Sequence, residues 1–139
     1  MAEPKLVAYT FRTFPKETLE KYGLEDVFIF GKLKEDLAQF LKLYQGKNIH
    51  VIGFALAPRS QVELKAVNKF NRGKISQVGP PEITLHNRLG LDFAANQTPR
   101  TSFCNWTAYQ IAQHFPTSFY HVKESDLSLF LQTLQISTR

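Results

Sequence analysis

The sequence predicts an α/β fold: a three-layer α/β/α sandwich built on a mixed, largely parallel sheet. Two observations carry this. Residues 49–55, Ile-His-Val-Ile-Gly-Phe-Ala, are apolar nearly throughout, as in a central parallel strand covered on both faces. Runs of that kind alternate along the chain with segments whose apolar residues recur every three or four positions, the spacing of a helix with one buried side.

Taken in order, Lys5–Phe11 is rich in β-branched and aromatic residues and reads as a first buried strand, stopped by Pro15. Residues 27–30, Val-Phe-Ile-Phe, closed by Gly31, read as a second. Over 34–44, Leu37, Phe40, Leu41 and Tyr44 share one helix face, and Gly46 supplies the stop. Strand 49–55 ends before Pro58. Residues 61–70 alternate less cleanly and are expected to form one further strand, with Gly73, Gly79, Pro80 and Pro81 marking the loop beyond it. Residues 82–86 make another short strand, and 96–100 have turn-forming composition. Phe103, Trp106, Ile111 and Phe115 predict a second helix over 103–115. Thr117–Val122 reads as a strand, and a last helix starts at Ser125 with Leu127, Phe130, Leu131 and Leu134 inward. There is no repeat, low-complexity stretch or long linker, so the 139 residues are expected to form a single domain with one core.

A chain with 43% hydrophobic and 21% charged residues is ordinary for a globular protein and unlike a disordered one. No apolar run approaches the roughly 20 residues of a membrane span, and the start lacks the basic-then-apolar build of a signal peptide. A single cysteine forms no internal disulfide, which agrees with a reducing compartment; a cytoplasmic location is expected. The net charge of +5 suits an acidic partner only where the charges cluster. The densest stretch, 65–74, sets Lys65, Lys69, Arg72 and Lys74 around Phe70. Lysines guarding a solvated edge strand are the commoner source of such a strip, and no zinc-finger spacing or RNP-like motif accompanies it, so nucleic acid is not the expected partner.

Cys104 follows Thr101 and Ser102, either of which can cap the second helix, so its sulfur falls in the first turn. Unpaired N–H groups and the helix dipole there favour a thiolate and can also hold a developing oxyanion. Taken alone, a lone cysteine is most often an inert buried side chain. His121 lies late in the strand that follows this helix, which allows a Cys–His pair oriented by a carboxylate; the bland alternative is a hydrogen-bonded strand histidine. Glu63, just beyond the central strand, is by itself an ordinary surface glutamate. His50, His86, His114 and His121 show no metal-ligand spacing, so no metal or organic cofactor is expected.

Three short motifs occur in order. Gly53 ends a strand and is followed by Glu63-Leu-Lys-Ala66-Val-Asn68, matching Glu-x-x-Ala-x-Asn. Thr101-Ser-Phe-Cys104-Asn105-Trp-Thr-Ala-Tyr109 matches Thr-x-x-Cys-Asn opening a helix that carries a tyrosine. Ser118-Phe-Tyr-His121-Val122 matches an aromatic strand ending in His-Val. Together these pieces resemble the pyroglutamyl peptidase family, also called pyrrolidone-carboxylate peptidases. The resemblance implies a cysteine hydrolase in which Cys104 attacks an amide carbonyl, His121 moves the protons and Glu63 orients His121. The implied substrate is an N-terminal pyroglutamyl peptide or a related small amide.

In the family, the first strand runs into Phe-x-Pro-Phe-Gly, whose rings help enclose the pyroglutamyl ring. Here Phe11-Arg12-Thr13-Phe14 keeps the spacing without that proline or glycine, and the two rings are read either as substrate-flanking or as core aromatics. A family arginine after the glutamate motif assists at the oxyanion. Arg72 is the first choice for its counterpart, ahead of Lys74, Arg59 and Arg100. Pro99-Arg100 replaces the small Ala-Gly pair before the nucleophile. Segments that mediate subunit contact in the family are shortened, which leaves an oligomer open. The alternative reading is an inactive or re-purposed member acting as a binding or assembly module.

Overall fold

The computed structural model describes residues 3–96 and 102–138. Along the chain run β1 (Lys5–Phe11), α1 (Lys16–Lys21), β2 (Phe28–Phe30), α2 (Leu33–Tyr44), β3 (Ile49–Leu56), β4 (Gln61–Glu63), β5 (Lys65–Val67) and β6 (Glu82–Thr84). There follow β7 (Ala94–Asn96), α3 (Phe103–Ala112), β8 (Thr117–Val122), a 3-10 turn Glu124–Asp126 and α4 (Leu127–Ser137).

Six strands make the main sheet in the order β2-β1-β3-β8-β4-β7. The pairs β1–β2, β1–β3, β3–β8 and β4–β7 are parallel, whereas β4 runs antiparallel to β8. The central strands carry apolar residues at consecutive positions because helices cover both faces. On one face Val7, Tyr9, Phe11, Val51 and Phe119 pack with Phe40 of α2 and Ile111 of α3. On the other, Ala8, Ile52, Phe54, Tyr120 and Val122 pack with Leu19 of α1 and with Phe130, Leu131 and Leu134 of α4. Each such side chain, fully buried, contributes roughly 1.5–3 kcal/mol. The expected three layers and mixed, largely parallel sheet are therefore present, with a separate core on each side of the sheet.

Gly53 in β3 is fixed by close approach. A Cβ there would lie 2.4 Å from the ring of Tyr9 on neighbouring β1, and that ring is wholly buried. The Tyr9 hydroxyl lies 3.2 Å from Thr107 Oγ1 and donates to it, so glycine in the sheet lets a tyrosine reach across to α3.

Where sequence and structure differ, local chemistry explains it. The run 61–70 is two strands in different sheets: after Glu63 the chain leaves the main sheet, and β5 pairs antiparallel with β6 as a separate ribbon. Helix α1 is six residues long and buries only Leu19, too little to show a period in sequence. Strand β7 is Ala-Ala-Asn, short and poor in β-formers; its last residue, Asn96, is the first of the expected turn, and 97–100 lie outside the described residues. Helix α3 stops at Ala112 because the next residues tighten onto Ile111 O, which accepts from the N–H groups of His114 and Phe115. Among the described residues no helix is long and apolar enough to cross a membrane.

Candidate active site

Helix α3 leads into β8, which is parallel to β3 and β1, so the start of α3 and the end of β8 meet at the carboxyl edge of the sheet. Cys104 sits in the first turn of α3 and is 8% exposed. His121 is the next-to-last residue of β8, and Glu63 is the last of β4. Antiparallel register pairs Glu63 with Phe119 and Gln61 with His121, which puts Glu63 and His121 on one face, diagonal to each other. Glu63 Oε1 lies 3.0 Å from His121 Nε2. Asn96, beside Glu63 across the β4–β7 pair, donates from Nδ2 to both carboxylate oxygens, at 2.9 and 3.1 Å. A buried carboxylate is thereby satisfied on both oxygens.

Glu63, Cys104 and His121 line a common cleft of about 10 Å³, together with Lys65, Ser102 and Phe119. The His121 ring stands edge-on to Phe119, centroids 5.2 Å apart. The thiol's side-chain hydrogen bond is with Ser102, and among the described residues no hydrogen bond joins the sulfur to the imidazole. Burial pushes the Cys104 thiol up to about 12; the Ser102 bond opposes this, and the Glu63 charge adds to it. The expected ready-made thiolate at the helix start is therefore not the resting state. Helix-end N–H groups and dipole are worth about 1 kcal/mol or less here and are outweighed by desolvation.

The first intrahelical bond of α3 runs from Trp106 N–H to Ser102 O at 2.9 Å. The N–H groups of Phe103, Cys104 and Asn105 thus belong to the turn that has no helical acceptor. Ser102 is the N-cap residue and makes no side-chain cap bond; its hydroxyl favours the thiolate against the effect of burial. Thr101, the other cap expected from sequence, and Pro99-Arg100 lie outside the described residues.

The remaining motif residues build the walls. Asn105 accepts from Val67 N–H at 2.8 Å and donates to Val67 O and Lys69 O at 2.9 and 3.0 Å, fastening β5 to the helix beside the cysteine. Ala66 is buried against this helix. Asn68 folds the following loop, accepting from Ile75 and Ser76 N–H and donating to Ser76 O, all within 2.8 Å. The Tyr109 hydroxyl donates to Pro80 O at 2.6 Å, tying the loop's far end back to α3.

The other expected site residues are not brought together. Phe11 is buried on the Cys104 face, 4.8 Å edge-to-face from Phe103, while Phe14 is buried in the opposite core against Phe54 at 5.2 Å. The sheet separates the two rings, so they do not flank one ligand. Arg72 is exposed in a tight turn closed by the Phe70–Gly73 bridge and does not line the cleft. Among the described residues, the lining includes Lys65 besides His121, and the Lys65 ammonium lies 3.7 Å from Glu82. Lys65, Asn96 and Ser102 were the site residues that sequence reasoning left out. Lys65 stood out only as the first member of the basic strip, Ser102 only as a candidate helix cap and Asn96 only as a turn residue.

Solved structures share this architecture. The chain matches the pyrrolidone carboxyl peptidase of Thermococcus litoralis with a TM-score of 0.68 at 14% identity, covering 96% of this chain and 93% of that one. A mutant pyrrolidone carboxyl peptidase of Pyrococcus furiosus gives a TM-score of 0.72 at 14% identity, covering 96% and 95%. The enzyme of Thermus thermophilus gives 0.66 at 14% identity, covering 95% and 97%. At this identity the likeness establishes the fold. No family model and no curated protein matches the chain.

Proposed function

We propose that the chain is a cysteine hydrolase that cleaves a pyroglutamyl or related amide bond. The observation that carries this reading is the Glu63–His121 contact of 3.0 Å within the cleft that holds Cys104. With Nε2 held by Glu63, Nδ1 is the nitrogen left to take the thiol proton. In the proposed reaction, Sγ attacks the amide carbonyl as His121 accepts the proton, and the Glu63 carboxylate stabilises the imidazolium. The N–H groups at the start of α3 receive the oxyanion. His121 returns the proton to the departing amine, and water then hydrolyses the thioester to a carboxylic acid and regenerates the thiol. The residues supply every step, and no cofactor enters. A neutral resting thiol fits this order, with the proton leaving during attack rather than before it. The same neutral thiol also supports a second reading, a re-purposed member that binds a ligand without turnover.

The test is release of a fluorogenic arylamine from a panel of small N-acyl amides, pyroglutamyl included. Hydrolysis by the wild type, a thioester adduct on Cys104 seen by mass spectrometry, and loss of release in Cys104→Ala are expected. Release that persists in Cys104→Ala eliminates the mechanism. Ligand binding with no turnover of any amide selects the second reading.

A further inference from the structure

We propose that the outer edge of β1, at its amino end, is a docking slot for an extended, acidic segment of a partner protein, which adds there as a strand. Strand β2 pairs with β1 only over Tyr9–Phe11, whereas β3 pairs with it over Lys5–Tyr9. Among the described residues, no strand lies on the outer side of Lys5–Ala8. The chain coming from α1 turns at Gly23, with φ of +69°, and joins the ladder only at Phe28. Its residues Leu24 and Val27 wall the slot instead of filling it.

Backbone direction shows what the edge offers. Lys5 N–H donates to Asn48 O on the β3 side, and Arg12 N–H donates to Phe30 O on the β2 side. Peptide groups alternate along a strand, so Leu6 and Ala8 turn their N–H groups away from β3 and toward the slot. An open edge of this kind is a template for another strand. The slot has a volume of about 550 Å³, within the range of ligand sites, and is lined by Leu6, Val7 and Ala8 together with Leu43 and Tyr44 of α2.

Shape decides the kind of occupant. Leu6, Val7 and Ala8 are 9%, 5% and 5% exposed, so the edge is recessed between the two helical layers. The sheet of a second copy, flanked by its own helices, cannot reach it; a single extended chain can. Four residues at about 3.3 Å each match the length of Lys5–Ala8. Charge sets the preference. Lys5 and Lys47 belong to the lining against one carboxylate, Asp26, and among the described residues neither ammonium is ion-paired. Lys47 Nζ stands 5.9 Å over the ring of Tyr44.

Calorimetry and nitrogen-edited NMR on the full chain test this with the acetylated, amidated hexapeptide Thr-Val-Thr-Val-Glu-Glu and its Thr-Val-Thr-Val-Lys-Lys counterpart. Two further versions of the acidic peptide are N-methylated at alternate residues, in opposite frames. The acidic peptide is expected to bind at least tenfold more tightly than the basic one. One N-methyl frame lowers its affinity tenfold or more and the other is tolerated, because only one row of its N–H groups faces β1. The amide signals of Leu6 and Ala8 shift and gain protection from exchange, and Lys47→Glu, at an exposed position, abolishes the preference for the acidic peptide. Binding that both N-methyl frames weaken equally, or that leaves Leu6 and Ala8 unmoved, overturns the proposal. Protection of those amides by self-association without peptide assigns the slot to a second copy and overturns it too. Main-chain pairing tolerates the choice of side chains, so binding by none of the peptides does the same.

Discussion

Glu63 and His121 meet at 3.0 Å across the antiparallel β4–β8 junction, and the same carboxylate raises the proton affinity of Cys104. The two effects oppose each other. Glu63 holds the imidazole for its task, yet its charge disfavours the thiolate that the imidazole must generate.

Replacing Glu63 with Gln separates the two effects. Amide hydrolysis is expected to fall by about 10²-fold or more, the scale of a mispositioned general base. Alkylation of Cys104 at a fixed alkaline pH is expected to become faster, because the negative neighbour is gone. A variant in which both rates fall together, with the fold intact by circular dichroism, contradicts this account.

Two buried groups set opposite ends of the pH profile. His50 is held down to about 4 by burial, with the charges of His86 and Arg88 adding to it, and its Nε2 lies 2.9 Å from Ser118 Oγ. Between about pH 6.5 and 4 the unfolded chain binds a proton that native His50 refuses, so stability falls on acidification. Cys104 acts at the other end: from 9 to about 12 the unfolded chain gives up the thiol proton that the native site keeps, so stability falls as pH rises. Urea titrations at pH 7 and pH 5 should show an acid loss of about 1 kcal/mol, after allowance for solvent screening, that His50→Gln removes. An identical acid loss in that variant refutes the assignment.

Gly53→Ala tests the reach of Tyr9. The added methyl meets the buried ring at 2.4 Å, so either β1 or the Tyr9–Thr107 contact must shift. A loss of about 1–3 kcal/mol is expected, read as a lower denaturation midpoint, and Tyr9→Phe in the same background should not fully restore it, since ring carbons at 2.4 and 2.6 Å remain in the way once the hydroxyl, itself at 2.6 Å, is gone. A midpoint equal to wild type disproves the overlap.

Much of the main sheet was legible because its strands are long and buried on both faces. Lys5–Phe11 and Thr117–Val122 carry enough β-branched and aromatic residues to mark their own bounds. Strand β4 and strand β5 were not separable, since the break at Leu64 carries neither glycine nor proline and only the pairing partner distinguishes them. Strand β7 is three residues whose place depends on Glu63 across the pair. At the site, Cys104, His121 and Glu63 were singled out by the family resemblance of their motifs, and they line one cleft. Two errors came from treating chain proximity as spatial proximity. Phe11 and Phe14 sit three residues apart but the strand ends between them and the chain crosses to the other layer, and Arg72 follows the glutamate motif but rides an exposed turn. The thiol's state was misjudged because burial and a neighbouring carboxylate are tertiary facts, invisible in the local helix start.

The β5–β6 ribbon has a consequence for how such a site can change. It contributes Lys65 to the cleft, yet no strand pairing joins it to the sheet that aligns Glu63 with His121. Its hydrogen bonds to α3 run through two side chains, Asn105 next to the cysteine and Tyr109 one turn on at Pro80. Residues 65–84 therefore form an exchangeable cassette: a different ribbon that kept the backbone contacts to Asn105 and Tyr109 would alter what the cleft accepts while the machinery beneath it stayed aligned.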